Sequence, residues 1–311
     1  MVDNKKNRLL TGFLISFTGA ILFSTKAIII KKAFHATGAD ALTLLMLRML
    51  FSLPFYLAVA FWGSRRENNV RMNRRQWLWV VALGLLGYYL SSYFDFVGLQ
   101  YISAGLERLI LFIYPSLAVL INAVLFRQHI SGAQRWALLL TYTGIGIAYF
   151  GELRVDTGNP HFYWGSFLIF LCAVTYAMYL AGTGRMIPVL GAAKFTTYTM
   201  LVATAAVLLH FGVRGAVQGD FHVSILHNGL WMYAVLLALL ATVIPSFMLS
   251  AGMKRIGPNN AAIVTSIGPV STILQAHFIL GDPIFMEQVL GTVLVIIGVL
   301  LIGWKGRREM E

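Results

Sequence analysis

"WLWVVALGLLGYYLSSYFDFVGLQYI" (residues 77–102) and "WMYAVLLALLATVIPSFMLSAGMKRI" (residues 231–256) stand in one register, 154 residues apart. Trp77 meets Trp231, Ser92 meets Ser246, Gly98 meets Gly252 and Ile102 meets Ile256. The register continues without a gap to residues 150 and 304, setting Pro115 against Pro269, Gln134 against Gln288 and Gly144 against Gly298. Leucine and valine coincide by chance in any apolar sequence. Tryptophan, proline, glutamine and glycine held in step mark an internal repeat. At a shift of 153, Gly12, Ala20 and Phe23 also meet Gly165, Ala173 and Tyr176.

The repeated material is too apolar for a soluble domain. Of 311 residues, 58% are hydrophobic and only 12% charged, with a mean hydropathy of +0.75. Soluble domains carry about a quarter charged residues. Runs long enough to cross a hydrocarbon core, about 20 residues each, are expected over 9–30, 41–62, 77–99, 102–126, 134–151, 161–181, 193–213, 229–253, 259–280 and 284–304. The connections near 63–76 and 214–228 are too short for an extramembrane domain. Any function then belongs to the bundle itself. The first run has no small-residue cleavage site after it and reads as a permanent span. Cys172 lies inside the sixth run and reads as a packing residue.

Ten spans in two repeats give five per repeat, and five is odd. If the first repeat (1–154) starts on one side of the membrane, the second (155–311) starts on the other. The expected fold is therefore all-α, ten transmembrane helices as two inverted five-helix repeats. Secondary transporters use this arrangement to expose a central site alternately. The net charge of +12 sets the orientation. With the N-terminus inside, 17 lysines and arginines fall in inner segments and only Lys31, Lys32, Arg154 and Arg214 in outer ones. The positive-inside rule then puts both termini in the cytoplasm of a cell-membrane protein. Basicity of this distribution is a topology signal, so no nucleic-acid partner is expected.

Five ionisable residues fall within the expected spans: Lys26, Arg48, Asp95, Glu107 and Arg108. Each costs about 2.5–3.5 kcal/mol at a helix centre on insertion scales, so they must face one another, water or a ligand. Counted at about 1.5 Å per residue, all five lie in the outer third of the bilayer, on four consecutive helices of the first repeat. The expected arrangement is two ion pairs, Glu107 with Lys26 or Arg48 and Arg108 with Asp95, and one surplus cation. Such a layer serves as a periplasmic gate, a substrate contact or a purely structural network. The cavity is expected nearer the midplane, with Tyr88, Tyr89, Ser92, Tyr93, Tyr114, Asn122, Tyr176, Tyr179, Ser246, Ser250, Thr265, Ser266 and Gln275 as candidates. Pro115 and Pro269 remove a backbone hydrogen bond in each repeat and are expected to kink the fourth and ninth spans. A desolvated carboxylate takes up protons more readily, which leaves coupling through Glu107 or Asp95 open.

Catalysis has little support in the sequence. "HATGAD", from His35 to Asp40, has the His-x4-Asp spacing of some membrane acyltransferases but no partner motif. No phosphate loop, nucleophile elbow or metal-ligand spacing occurs, so neither enzyme activity nor a cofactor or metal is expected. A scaffold would need no water-accessible cavity between the halves, whereas a transporter does.

"GMKRIGPNNAAIVTSIGPVSTILQAHFILGDPI", then "GTVLVIIGVLLI", resembles the second half of EamA-branch members of the drug/metabolite transporter superfamily. "GLQYISAGLERLILFIYPSLAVLINAVLF", "FSTKAIIIKKA" and "LRMLFSLPFY" resemble the first. The likeness spans nearly the whole chain. It implies a carrier, often an exporter, of amino acids, nucleobases, vitamins, metallophores or other small metabolites. A small polar or zwitterionic metabolite, amino-acid-like, is the expected cargo of a monomer or homodimer in the bilayer. A facilitative or exchange carrier is the alternative. One departure concerns the acidic residue after the fourth and ninth spans: it is Asp282 in the second half, but the first half reads "FRQHIS".

Overall fold

The computed structural model describes residues 2–64, 72–126, 130, 132–155, 159–219, 229–256 and 264–308. Ten helical rods follow one another among them. They are α1 (Val2–Thr37), α2 (Ala41–Ser64), α3 (Arg74–Gly98), α4 (Ala104–Leu111 and Tyr114–Phe126) and α5 (Gly132–Val155). After these come α6 (Phe162–Leu190), α7 (Ala192–Gln218), α8 (Leu230–Ala238 to Ile244–Ile256), α9 (Gly268–Gln275 with Ala276–Leu280) and α10 (Met286–Arg308). No strand occurs among the described residues.

Among the described residues, seven helices are long and apolar enough to cross a membrane: Leu10–Thr37, Ala41–Trp62, Arg74–Gly98, Ala104–Ile121, Phe162–Leu190, Lys194–Gln218 and Leu230–Leu249. Met286–Leu301 adds a shorter apolar helix. Several rods outrun their apolar runs. α6 continues to Leu190 and α1 to Thr37, each ending at a glycine of positive φ, Gly191 (79°) and Gly38 (65°). An L side chain at that φ is disfavoured, so these glycines set the helix ends.

The caps are local and legible. Asp40 Oδ1 accepts from the Leu42 and Thr43 amides at 2.9 and 3.1 Å and starts α2. Asn73 and Gln76 form a capping box at the start of α3. Ser103 Oγ accepts from the Leu106 amide at 3.0 Å and starts α4 at Ala104, soon after α3 ends at Gly98.

Two irregularities repeat in register. α3 contains a π-helical turn at Leu85–Leu90, and α8 contains one at Leu239–Val243, 154 residues on. α4 breaks at Phe112–Ile113 and resumes at Tyr114, making Pro115 its second residue; α9 starts at Gly268, making Pro269 its second. In both, proline sits in a first turn, where no helical partner for its missing N–H is needed.

Small residues let the rods approach. α5 packs on α10 through Gly144, whose added Cβ would lie 2.6 Å from the Gly291 carbonyl, and through Gly298 beside the Ala137 carbonyl. α1 packs on α8 with Gly12 and Gly19 against Ile256 and Met248. Where no hydrophobic force separates helix from lipid, such close packing holds helices together. Large apolar side chains such as Leu57, Trp62, Val217 and Phe278 are exposed around the outside, as a lipid-facing perimeter requires.

The termini of the rods sort onto two faces. A cavity of about 420 Å³ brings the end of α1, the α3–α4 turn, the end of α5 and the α9–α10 turn to one face. A second, of about 290 Å³, joins the start of α3 to the end of α6 at the opposite face. Arg65, Arg66, Arg71 and Arg127, which weigh in the predicted orientation, lie outside the described residues.

Candidate functional site

Lys26 points from α1 into the junction of α3 and α4. Its Nζ is 2.7 Å from Asp95 Oδ2 and 3.8 Å from Glu107 Oε1. Both carboxylates therefore converge on one lysine. The acids are sealed, with side chains 2% and 0% exposed, while the Lys26 side chain keeps 12%. Cys172 of α6 lies within electrostatic reach of all three.

The expected pairing of Arg108 with Asp95 is not what forms. Among the described residues, neither Arg108 nor Arg48 has a carboxylate within 4 Å. Arg108 is buried between two rings, its Cζ 5.7 Å from the centroids of both Phe23 and Phe112. Its Nε has no hydrogen-bond partner. Gly268 makes room for it, since an added Cβ there would lie 2.9 Å from Nη2. Arg48 is covered by Phe96 at 5.4 Å and donates from Nε to Thr242 Oγ1 at 3.2 Å. Thr242 sits in the π-helical turn of α8 and donates to the Leu237 carbonyl five residues back. The physical reason for the difference is reach. Asp95 and Glu107 stand on α3 and α4, both facing α1, and the shortest cation there is Lys26.

Beside the charges, four tyrosines form a continuous chain of rings. Tyr88 meets Tyr179 at 5.0 Å, Tyr179 meets Tyr176 at 5.7 Å, and Tyr176 meets Tyr114 at 5.1 Å. The Tyr179 hydroxyl donates to that of Tyr88 at 3.0 Å. Gly87 leaves the space that the Tyr179 ring occupies. Arg48 lies within electrostatic reach of Tyr88, and Arg108 of Tyr114 and Tyr176, so the arginines flank the chain.

Other candidates are placed elsewhere. Tyr89 turns toward α7, its hydroxyl 3.1 Å from His210 Nδ1. Ser246 Oγ donates within α8 to the Thr242 carbonyl at 2.6 Å, and Gln275 Nε2 donates to Ser271 Oγ at 2.8 Å. Ser92 is half-buried on α3. The Asn122 and Ser250 side chains lie outside the described residues. Pro115 sits at the resumption of α4 just below Tyr114, and Pro269 next to the Gly268 that admits Arg108. Residues missed by sequence reading are Phe23, Phe96, Phe112 and Thr242. Nothing distinguishes them from packing residues until the guanidinium groups are located.

The 420 Å³ cavity lies along α1 from this layer, with Lys31, His35, Glu152, Asn159, Asp282 and Gln288 in its wall. Burial pushes the Asp282 carboxyl above its ordinary pKa, against the pull of Lys31 and His35. The His-x4-Asp spacing has a structural use. Asp40 caps α2 and holds Arg214 of α7 at 2.8 Å.

Membrane-crossing helices around a buried polar layer define a multi-pass membrane protein. Residues 10–150 and 163–304 each match the EamA-like transporter family, and the chain belongs to that family. It is similar to the uncharacterized transporter YcbK of Bacillus subtilis, 28% identical over 282 residues, covering 90% of this chain and 88% of the relative. YyaM of the same organism is 26% identical, over 94% and 91%. The uncharacterized inner membrane transporter YicL of Salmonella typhimurium is 21% identical, over 96% and 97%. A solved crystal structure shares the fold at TM-score 0.63 and 21% identity, covering 96% of this chain and 98% of its own.

Proposed function

We propose that the chain is a secondary transporter that moves a small polar or zwitterionic metabolite, amino-acid-like, by alternating access. The working units are residues 1–154 and 155–311, related by inverted topology, with both termini cytoplasmic and export as the favoured direction. One observation carries the reading. Four contacts around the Lys26–Asp95–Glu107 cluster, which itself lies within the first repeat, join residues before 155 to residues after it: Arg48 to Thr242, Tyr88 to Tyr179, Tyr114 to Tyr176, and Ser24 Oγ to the Gly268 carbonyl at 3.3 Å. Rocking one repeat against the other would break this set together, as a gate must. The 420 Å³ cavity at the α1 end is then the vestibule on the outer side.

Uptake and efflux of a metabolite panel in right-side-out and inverted vesicles tests the proposal. Accumulation of an amino-acid-like solute in one orientation supports it. No flux of any solute in either orientation sinks it. A second reading concerns coupling. Lys26 holds Asp95 at 2.7 Å and Glu107 only at 3.8 Å, which makes Glu107 the candidate carrier of a coupled proton, as against simple exchange.

A further inference from the structure

The buried layer does not balance its own charge. Three cations stand against two carboxylates, and both carboxylates are taken by Lys26. That leaves Arg48 and Arg108, each only 7% exposed, with no carboxylate in contact among the described residues, although Asp95 and Glu107 stay within electrostatic reach of them. A buried charge without a partner is strongly unfavourable. Arg48 donates to Thr242, whereas Arg108 keeps an Nε with no acceptor.

The rings around Arg108 decide where a partner would bind. Phe23 and Phe112 cover the guanidinium at 5.7 Å from its centre. A ring stacked on a guanidinium occupies a face of the planar group and leaves free its edge, where the N–H donors lie. The orphaned Nε marks that edge. A planar fork of donors matches a carboxylate in bidentate fashion. An amine has no comparable place. Asp95 and Glu107, the acceptors it needs, are buried behind Lys26, whose side chain is the more exposed of the three.

From these observations we infer that the cargo is recognised through a carboxylate on Arg108, with Arg48 adding positive potential from the other flank. Its flat apolar body lies along Tyr114, Tyr176, Tyr179 and Tyr88. The inference rests on the transport reading and narrows it to aromatic carboxylates, with the amino group dispensable.

The test uses the purified full-length protein in detergent and in liposomes, with phenylacetate, phenylalanine, phenylethylamine and inorganic phosphate as probes. Phenylacetate and phenylalanine are expected to bind and raise the unfolding temperature; phenylethylamine is not. Arg108→Gln should weaken phenylacetate binding about tenfold or more, the loss expected for a hydrogen bond to a charged group, and Arg108→Lys by less. Phenylethylamine binding as well as phenylacetate overturns the inference. So does binding of phosphate alone, or of no carboxylate. Should Arg108→Gln fail to fold, the ranking of probes on the unaltered protein decides. Carboxylate binding with no solute flux in vesicles would leave this site standing and remove the transport reading instead.

Discussion

Lys26 on α1 and Asp95 on α3 meet with Nζ 2.7 Å from Oδ2, and Glu107 on α4 closes the third side at 3.8 Å. The lysine is thus the only cation between two sealed acids among the described residues. Lys26→Met should cost about 3–5 kcal/mol, the range for a buried pair that loses one partner. Asp95→Asn should cost less, because Lys26 keeps Glu107. The double variant Lys26→Met/Asp95→Asn should recover part of the loss. A double-mutant cycle on thermal unfolding in detergent measures the coupling; strict additivity of the two single effects would show that the contact has no energetic weight.

Glu107→Gln removes the second carboxylate and keeps the Lys26–Asp95 pair. In proteoliposomes it should leave exchange of labelled for unlabelled cargo running while abolishing the response of net flux to a pH gradient. An unchanged response would assign coupling elsewhere.

The α5–α10 seam depends on glycine. A Cβ on Gly144 would sit 2.6 Å from the Gly291 carbonyl, so Gly144→Leu should destabilise by about 1–3 kcal/mol or more through overpacking. Gly146, two residues away, has open space around its Cβ position. Gly146→Leu should change the unfolding temperature little. Equal effects at the two positions would contradict the packing.

Asp40 lies outside the spans. Burial pushes its pKa up, but Arg214 and Thr43 outweigh that through hydrogen bonds and charge, and hold it below the ordinary value. A depressed acid stabilises the fold above its unfolded pKa of about 3.9 and loses that contribution as pH falls through the folded value. The stability difference between the parent and Asp40→Asn should therefore be constant near neutrality and shrink below about pH 4. A difference that grows on acidification would reverse the assignment. Asp40→Ala should cost about 1 kcal/mol at neutral pH as a lost cap.

The sequence by itself determined an all-helical membrane chain built as a repeat, because apolar run length, composition and the register of Trp, Pro, Gln and Gly are local quantities. The caps at Asp40, Asn73 and Ser103 were written locally too. It also named the five charges of the buried layer, since their cost in lipid is a property of residue type. What only the tertiary structure decided is who meets whom. Asp95 and Glu107 both choose Lys26, Arg108 settles between Phe23 and Phe112, and Tyr88, Tyr114, Tyr176 and Tyr179 assemble while Tyr89 turns away to His210. Helix periodicity gives each side chain a direction around its own axis. The rotation of one helix against the next comes from packing, at glycines such as Gly87 and Gly268 that open the room.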